Sequence, residues 1–275
     1  MPEFCSNTDW QKAVDAVRKS RRIVVFTGAG ISAESGIATF RDEGGFWQQF
    51  PPEDFANWSG LAQVALFQPQ RLAEFLVAVL EPIANAVPNA AHRAVAAMQQ
   101  AHEVAVVTQN IDGLHQDAGS HTVRELHGSL LRVTTSGHHQ RREPLTRKQL
   151  ADIVAELRPL IGGWIWVPHL IRIIRPLIDV SSDGFRHPAV ILFGDVLAEP
   201  DWSQAEQDVR DCDLLITVGT SGLVYPAALL PDIARERGVP IIGVDPLTPC
   251  GDIYLCGKAT DVLPQLVAAS GLTVT

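Results

Sequence analysis

The stretch IVVFTGAGISAESG, residues 23–36, sets a short apolar run directly against a glycine turn. An uninterrupted run rich in Val and Ile reads as a strand buried on both faces, as in a parallel sheet. After it, Gly28, Gly30 and Ala33 satisfy the spacing G-x-G-x-x-[GA]. Glycines there permit a tight turn and let the backbone approach a pyrophosphate, whose charge then faces a helix N-terminus. An ordinary glycine turn fits the same residues. The position after a strand, with Ser32 and Ser35 able to hydrogen-bond phosphate, favours binding.

Three further runs follow the same plan: VAVVTQNID (104–112), LLITVGTS (214–221) and VPIIGVDP (239–246). Helical stretches lie between them, Ala90 to Ala101 and Pro226 to Arg237, and Asp9 to Ser20 reads as an opening helix with Asp9 as its cap. Strand, loop and helix in repetition give an α/β fold: a Rossmann-like parallel sheet with helices on both faces. Residues 1–130 and 188–275 are expected to form it, with a proline-punctuated helical excursion at 40–88. Residues 131–187 lack the strand–helix rhythm and are expected to form a smaller inserted module. Ligands of such sheets bind where strands end, so the loops closing these runs carry the chemistry.

The 275 residues are 46% hydrophobic and 19% charged, enough for a full core without staples. A net charge of −9 with no like-charge run argues against a nucleic-acid partner and suits a partner with a basic tail. Cys5, Cys212, Cys250 and Cys256 form no CxxC pair, which fits a reducing compartment. The opening residues lack a signal-peptide layout. The apolar stretch Ile161 to Val180 is broken by Pro168, His169, Arg172, Arg175 and Pro176 and makes a poor membrane span. A cytoplasmic protein with no membrane partner is expected.

Four segments offer chemistry. Gln109, Asn110 and Asp112 close the second run, where amides and a carboxylate can meet a polar ligand group such as a carboxamide. Taken alone, Asn110 and Asp112 read first as caps of the next helix. His127, in ELHGS (125–129), is a side chain suited to general-base work near neutral pH, though a lone histidine is more often structural. His115, His121, His138 and His139 are nearby alternatives. Gly219, Thr220 and Ser221 end the third run and Asp245 the fourth. An acidic residue at such a strand end can bind ribose hydroxyls, and either segment also fits plain turn chemistry.

Together these pieces resemble the sirtuin family. GAGISAESGIATFRD (28–42), TQNIDGLH (108–115), LHGS (126–129), PAVILFGD (188–195), GTSGLVYPAALLP (219–231) and LCGKATDVLP (255–264) match its motifs in the family's order. The resemblance implies that NAD is bound and that an acylated lysine on a protein is the substrate. Gly28, Ala29, Gly30 and Ser32 would hold the pyrophosphate side, Phe40 and Arg41 would belong to the mobile cofactor-binding loop, and Trp47 would also bind the cofactor. Asn110 and Asp112, beside Gln109, would hold the nicotinamide carboxamide. Gly219, Thr220, Ser221, Asp245 and Ala259 would line the adenosine half, and Val190, Phe193 and Gly194 the acyl-lysine groove. In the family the acyl oxygen displaces nicotinamide from the ribose. His127 would then act as base on a ribose hydroxyl, giving free lysine, nicotinamide and O-acyl-ADP-ribose.

The sequence also departs from the family. Residues 130–190 contain no cysteine, where members usually carry two pairs that bind a structural zinc. No structural zinc is therefore expected, and packing of Trp164, Trp166, Ile171, Ile174 and Leu177 is expected to hold the module instead. Trp166→Ala is expected to cost about 3–5 kcal/mol if that ring is buried. Ala38 replaces a usual proline, Asp195 a glutamate and Asp245 an asparagine. Leu76 and Val79 stand where members that remove acidic acyl groups carry tyrosine and arginine, so an uncharged acyl group is expected. Besides deacylation, NAD hydrolysis or ADP-ribosyl transfer, and a non-catalytic NAD sensor, remain open. The presence of Asn110, Asp112 and His127 weighs against the sensor.

Overall fold

The protein is described from a computed structural model, over residues 6–38, 46–136, 141–181 and 184–272. Among these residues the strands are β1 (Arg22–Thr27), β2 (Glu103–Thr108), β3 (Val123–Glu125), β4 (Gly128–Ser136), β5 (Arg141–Pro144), β6 (Asp179–Ser181), β7 (Gly184–Val190), β8 (Leu214–Val218), β9 (Ile241–Asp245) and β10 (Ile253–Cys256). The chain divides into two compact units. One comprises Met1–Gly36, Val87–Leu126 and Leu197–Thr275, the other Ile37–Ala86 and His127–Val196. The helical excursion and residues 188–196 thus group with the insertion.

In the first unit six parallel strands run in the order β10-β9-β8-β1-β2-β3. Successive side chains of a strand point to opposite faces. Ile23 and Val25 accordingly join Val106, Ile216 and Val244 in one core, under the helices Asn7–Lys19, Ala90–Met98 and Ala259–Ala269. Val24 and Phe26 join Val107, Leu215 and Ile241 in the other, under Asp201–Asp211 and Leu230–Glu236. Burial on both faces is the reason these strands read as unbroken apolar runs. The order reverses between β1 and β8, so the crevice beyond their C-terminal ends is the topological switch point.

One local expectation needs correction. Ser6, not Asp9, caps the first helix, its Oγ accepting from Asp9 N at 3.0 Å. Asp9 sits in the first turn, where a carboxylate complements the helix dipole. The glycine turn after β1 leads into a 3₁₀ helix, Ala29–Ser35, which Gly36, at φ +84°, ends.

The second unit holds an antiparallel sheet in the order β5-β4-β7-β6. The helix Pro69–Asn85 packs on Arg147–Leu157 and Val167–Ile174. It buries Leu72, Leu76, Leu80 and Ile83, an i+4 and i+3 stripe. Arg147–Leu157 starts at a capping box in which Thr146 and Gln149 satisfy each other's backbone N–H. Phe50, Phe55 and Phe75 form an aromatic cluster with centroids 4.8–5.5 Å apart.

Ile174 and Leu177 are buried as expected, but Trp164 is 83% and Trp166 60% exposed, and Ile171 is exposed too. Those three side chains do not hold the module together, and the condition for a costly Trp166→Ala is not met. The apolar bulk comes from Leu150, Ile153, Val154, Leu157, Ile165, Leu170 and Ile173 instead. Among the described residues no helix is long and apolar enough to cross a membrane.

Candidate functional site

At the switch point the loops after β1 and β8 touch backbone to backbone. Gly28 N donates to Val218 O and Gly30 N to Gly219 O, each at 3.0 Å. A Cβ on Gly30 would lie 2.6 Å from Gly219 Cα, and one on Gly28 2.7 Å from Gly219 O. Gly219, at φ +56°, would bring a Cβ to 2.5 Å from Gly30 Cα. Contacts this short exclude any side chain. The floor of the crevice is therefore bare backbone, the surface a pyrophosphate needs for close approach.

Next to this floor a polar set is buried. Asn110 Nδ2 donates to Gly28 O at 3.0 Å and to Ser32 Oγ at 3.1 Å. Ser32 Oγ donates to Asp112 Oδ2 at 2.7 Å, and Asp112 Oδ1 accepts from Leu114 N at 2.9 Å. Asp112 thus closes a tight turn ahead of the helix Leu114–Asp117, whose N-cap is Gly113 rather than Asn110 or Asp112, and it also reaches the glycine loop through Ser32. Farther along the strand ends, Gln109 Nε2 donates to Thr220 Oγ1 at 2.8 Å, while Ser221 is exposed. Asp245 Oδ1 accepts from Leu247 N and Thr248 N at 2.9 and 2.8 Å. Its carbonyl accepts from Gly257 N at 3.3 Å, which ties the segment leading to Ala259 to the end of β9.

Two buried imidazoles join this set: His92, which sequence reasoning missed, and His115. Their rings meet edge to face at 4.9 Å. His92 Nε2 is 3.4 Å from Ser32 Oγ, and His115 Nε2 is 3.1 Å from Thr27 Oγ1. Burial, and then the charge of Arg93, push His92 down to about 4. Burial, and then its neighbour His92, hold His115 well below the ordinary histidine value. Held neutral by burial, His115 is a weaker base than an ordinary histidine, which favours His127 over it.

Because these folded-state values are depressed, the unfolded chain takes up more protons than the native one as pH drops below about 6.5. Stability from the pair is full above that pH and declines toward pH 4. His92 alone accounts for about 3 kcal/mol of the decline. Urea unfolding at pH 7 and pH 4.5 measures the loss. His92→Gln should flatten the dependence; an unchanged profile in that variant would refute the assignment.

In the second unit, half-buried His127 directly precedes β4. Its carbonyl accepts from Ile191 N at 2.9 Å, and Gly128 pairs with Val190. The strand β7 ends at Val190, so Phe193 and Gly194 lie in a turn, not a strand. Phe193 N donates to Ala56 O at 2.8 Å and its ring lies 6.2 Å from that of Trp47. Asp195 Oδ2 accepts from Trp58 Nε1 at 3.1 Å and Leu192 N at 3.0 Å, closing that turn. The unit thus gathers His127, Val190, Phe193, Gly194 and Trp47. Phe40 and Arg41 lie outside the described residues.

A parallel sheet whose switch point is floored by facing glycine loops, with buried amide, hydroxyl and carboxylate beside it, defines a dinucleotide-binding α/β protein. The Sir2 family pattern matches residues 28–226, and the chain belongs to that family. It is 39% identical over 258 residues to NAD-dependent protein deacylase 2 of Pyrobaculum aerophilum, covering 92% of each chain. A Sir2 homologue mutant in complex with ADP-ribose superposes with a TM-score of 0.75 at 32% identity, covering 95% of this chain and 96% of that one. A Sir2 protein bound to a myristoylated histone peptide superposes with a TM-score of 0.68 at 30% identity, covering 96% of both.

Proposed function

We propose that the protein is an NAD-dependent protein lysine deacylase that releases nicotinamide and O-acyl-ADP-ribose. The observation that carries this is the glycine floor of Gly28, Gly30 and Gly219 beside the buried Asn110–Ser32–Asp112 set. The names of similar proteins, deacylases and a peptide-bound Sir2 protein, support it. Incubation with NAD and an acetyl-lysine peptide tests it. O-acetyl-ADP-ribose in the mass spectrum is expected, whereas ADP-ribose alone would mean hydrolysis.

When bound, NAD supplies the ribose carbon from which nicotinamide leaves. The bare backbone at Gly28, Ala29 and Gly30, with Ser32, holds the pyrophosphate side. Trp47, in the short helix Phe46–Gln49, would contribute to cofactor binding, as would Phe40 and Arg41, and Gly219, Thr220, Ser221, Asp245 and Ala259 line the adenosine half, with Gln109 on the nicotinamide side. Asn110 and Asp112 orient the carboxamide. His127 accepts the proton of a ribose hydroxyl, while Val190, Phe193 and Gly194 border the acyl-lysine. Leu76 and Val79 offer an acidic acyl group no cation, and Arg71, the arginine of the helix Pro69–Asn85, is held over the Phe55 ring. An uncharged acyl group is therefore the substrate. The thiols of Cys212, Cys250 and Cys256 suit a reducing cytoplasm.

Asp112→Asn tests the carboxamide site. It keeps an acceptor for Leu114 N but gives up the charge. We expect a ~10- to 100-fold loss in kcat/KM for NAD, the worth of a charged hydrogen bond, and weaker inhibition by added nicotinamide. If both stay unchanged, the assignment is wrong.

The second unit is also proposed to hold no structural zinc. Among the described residues no three His, Cys, Asp or Glu side chains are arranged to hold a metal. His138 and His139 lie outside those residues. Elemental analysis should find no stoichiometric zinc, and chelators should leave Tm unchanged. Stoichiometric zinc would sink the idea.

A further inference from the structure

From Ile161 to Ile178 the chain holds no acidic residue, in a protein whose net charge is −9. Trp164, Ile165 and Trp166 lie just ahead of a helix and alternate in burial: Ile165 is inside, both indoles outside. The helix Val167–Ile174 follows, with Trp166 O accepting from His169 N at 2.9 Å. It buries Leu170, Ile173 and Ile174. By the i+3 and i+4 spacing, its outward face carries Pro168, Ile171 and Arg172, and Arg175 continues that row. Beside it a shallow recess of about 390 Å³ is lined by Arg172, Arg175, Pro176, Asp179 and Arg186. Arg175 reaches Asp179 at 3.3 Å and Arg186 reaches Glu143 at 2.7 Å, while Arg172 turns to His169 Nδ1 at 2.9 Å.

We propose that this face docks on an anionic lipid bilayer. Each part answers one layer of such a surface. Indole rings partition to the boundary between headgroups and acyl chains, where the apolar ring is dry and its N–H stays wet. Ile171 extends that apolar edge. Arginine stems lie along apolar surface while their guanidinium heads meet headgroup phosphates and carboxylates, with which they form charge-assisted pairs. An acidic peptide would answer the arginines but leave two adjacent indoles in water. The helix is far too short to span, so the contact is peripheral. The proposal is independent of the deacylase reading, because it uses none of the residues assigned to NAD or acyl-lysine.

Co-sedimentation of the full chain with vesicles of phosphatidylcholine plus phosphatidylserine, against phosphatidylcholine alone, is the test. Binding is expected to the mixed vesicles only, to weaken as salt is raised, and to blue-shift the tryptophan emission. Arg172→Gln and Arg175→Gln should each weaken it about fivefold. Trp164→Ala with Trp166→Ala should abolish both the binding and the shift, while peptide turnover without vesicles stays as in the parent. No binding, or equal binding to both vesicle types, overturns the proposal. So does a stable dimer that the tryptophan variant dissolves, or binding of a poly-glutamate peptide with none to vesicles.

Discussion

His127→Ala is expected to lower turnover by about 10²- to 10⁴-fold, the contribution typical of a positioned general base, with the fold unharmed. The expectation of an intact fold follows from what holds residue 127 in place. Its carbonyl is fixed by Ile191 N, Leu126 before it is fully buried, and Gly128 after it is locked against β7. These restraints act on the backbone of residue 127 and on its two neighbours. Alanine leaves the backbone where it was, and a substitution of this kind away from a core cavity normally changes stability by less than about 1 kcal/mol. NAD affinity, which we propose rests on the glycine floor and its polar set, should change by no more than a few-fold. O-acyl-ADP-ribose formation and calorimetric NAD binding, measured on one preparation, separate these effects. Near-parental turnover in the folded variant would remove His127 as the base.

The parallel sheet was legible because its signal is local. Ile23–Phe26 and Leu214–Val218 are buried on both faces, so each declares itself within five or six residues. The glycine turn was legible for the same reason, but its cause was not. Gly28 and Gly30 are small because Gly219, far away in sequence, occupies the space their side chains would need. His92 left only the faint mark of an Asn-x-x-His helix start, now visible as a capping box with Asn89; the tertiary fold alone brings it to Ser32. The second sheet is not legible locally because β4 pairs with β7 across some fifty residues, its pairing is shifted between Ser129 and Val133, and Pro188 sits inside β7, where a proline argues against a strand. Trp164 and Trp166 were misread through composition. Hydrophobicity places an indole in the core by default, whereas an alternating triplet around Ile165 admits only the central residue.

Gly128→Ala should be the most destructive single-methyl change in the second unit. Gly128 has φ +73°, where an L side chain already costs roughly 1–2 kcal/mol. Its missing Cβ would also stand 1.9 Å from Ala189 O and 2.9 Å from Ala189 C, both backbone atoms of β7. No rotamer change relieves that overlap. Either β7 moves away from β4, breaking the pairing of Gly128 with Val190, or residue 128 rotates and carries His127 with it. A loss of about 4 kcal/mol or more is expected, together with a fall in kcat in whatever fraction remains folded, since both routes displace His127, the proposed base, from the end of β7. Gly162→Ala is the matched control: its φ is +83°, yet nothing lies within 4 Å of the added carbon, so it should cost only the backbone strain. Urea midpoints of the two variants isolate the steric part. If Gly128→Ala unfolds at the same midpoint as Gly162→Ala, the strands are not in the contact that fixes His127, and the reason offered for a glycine after that histidine fails.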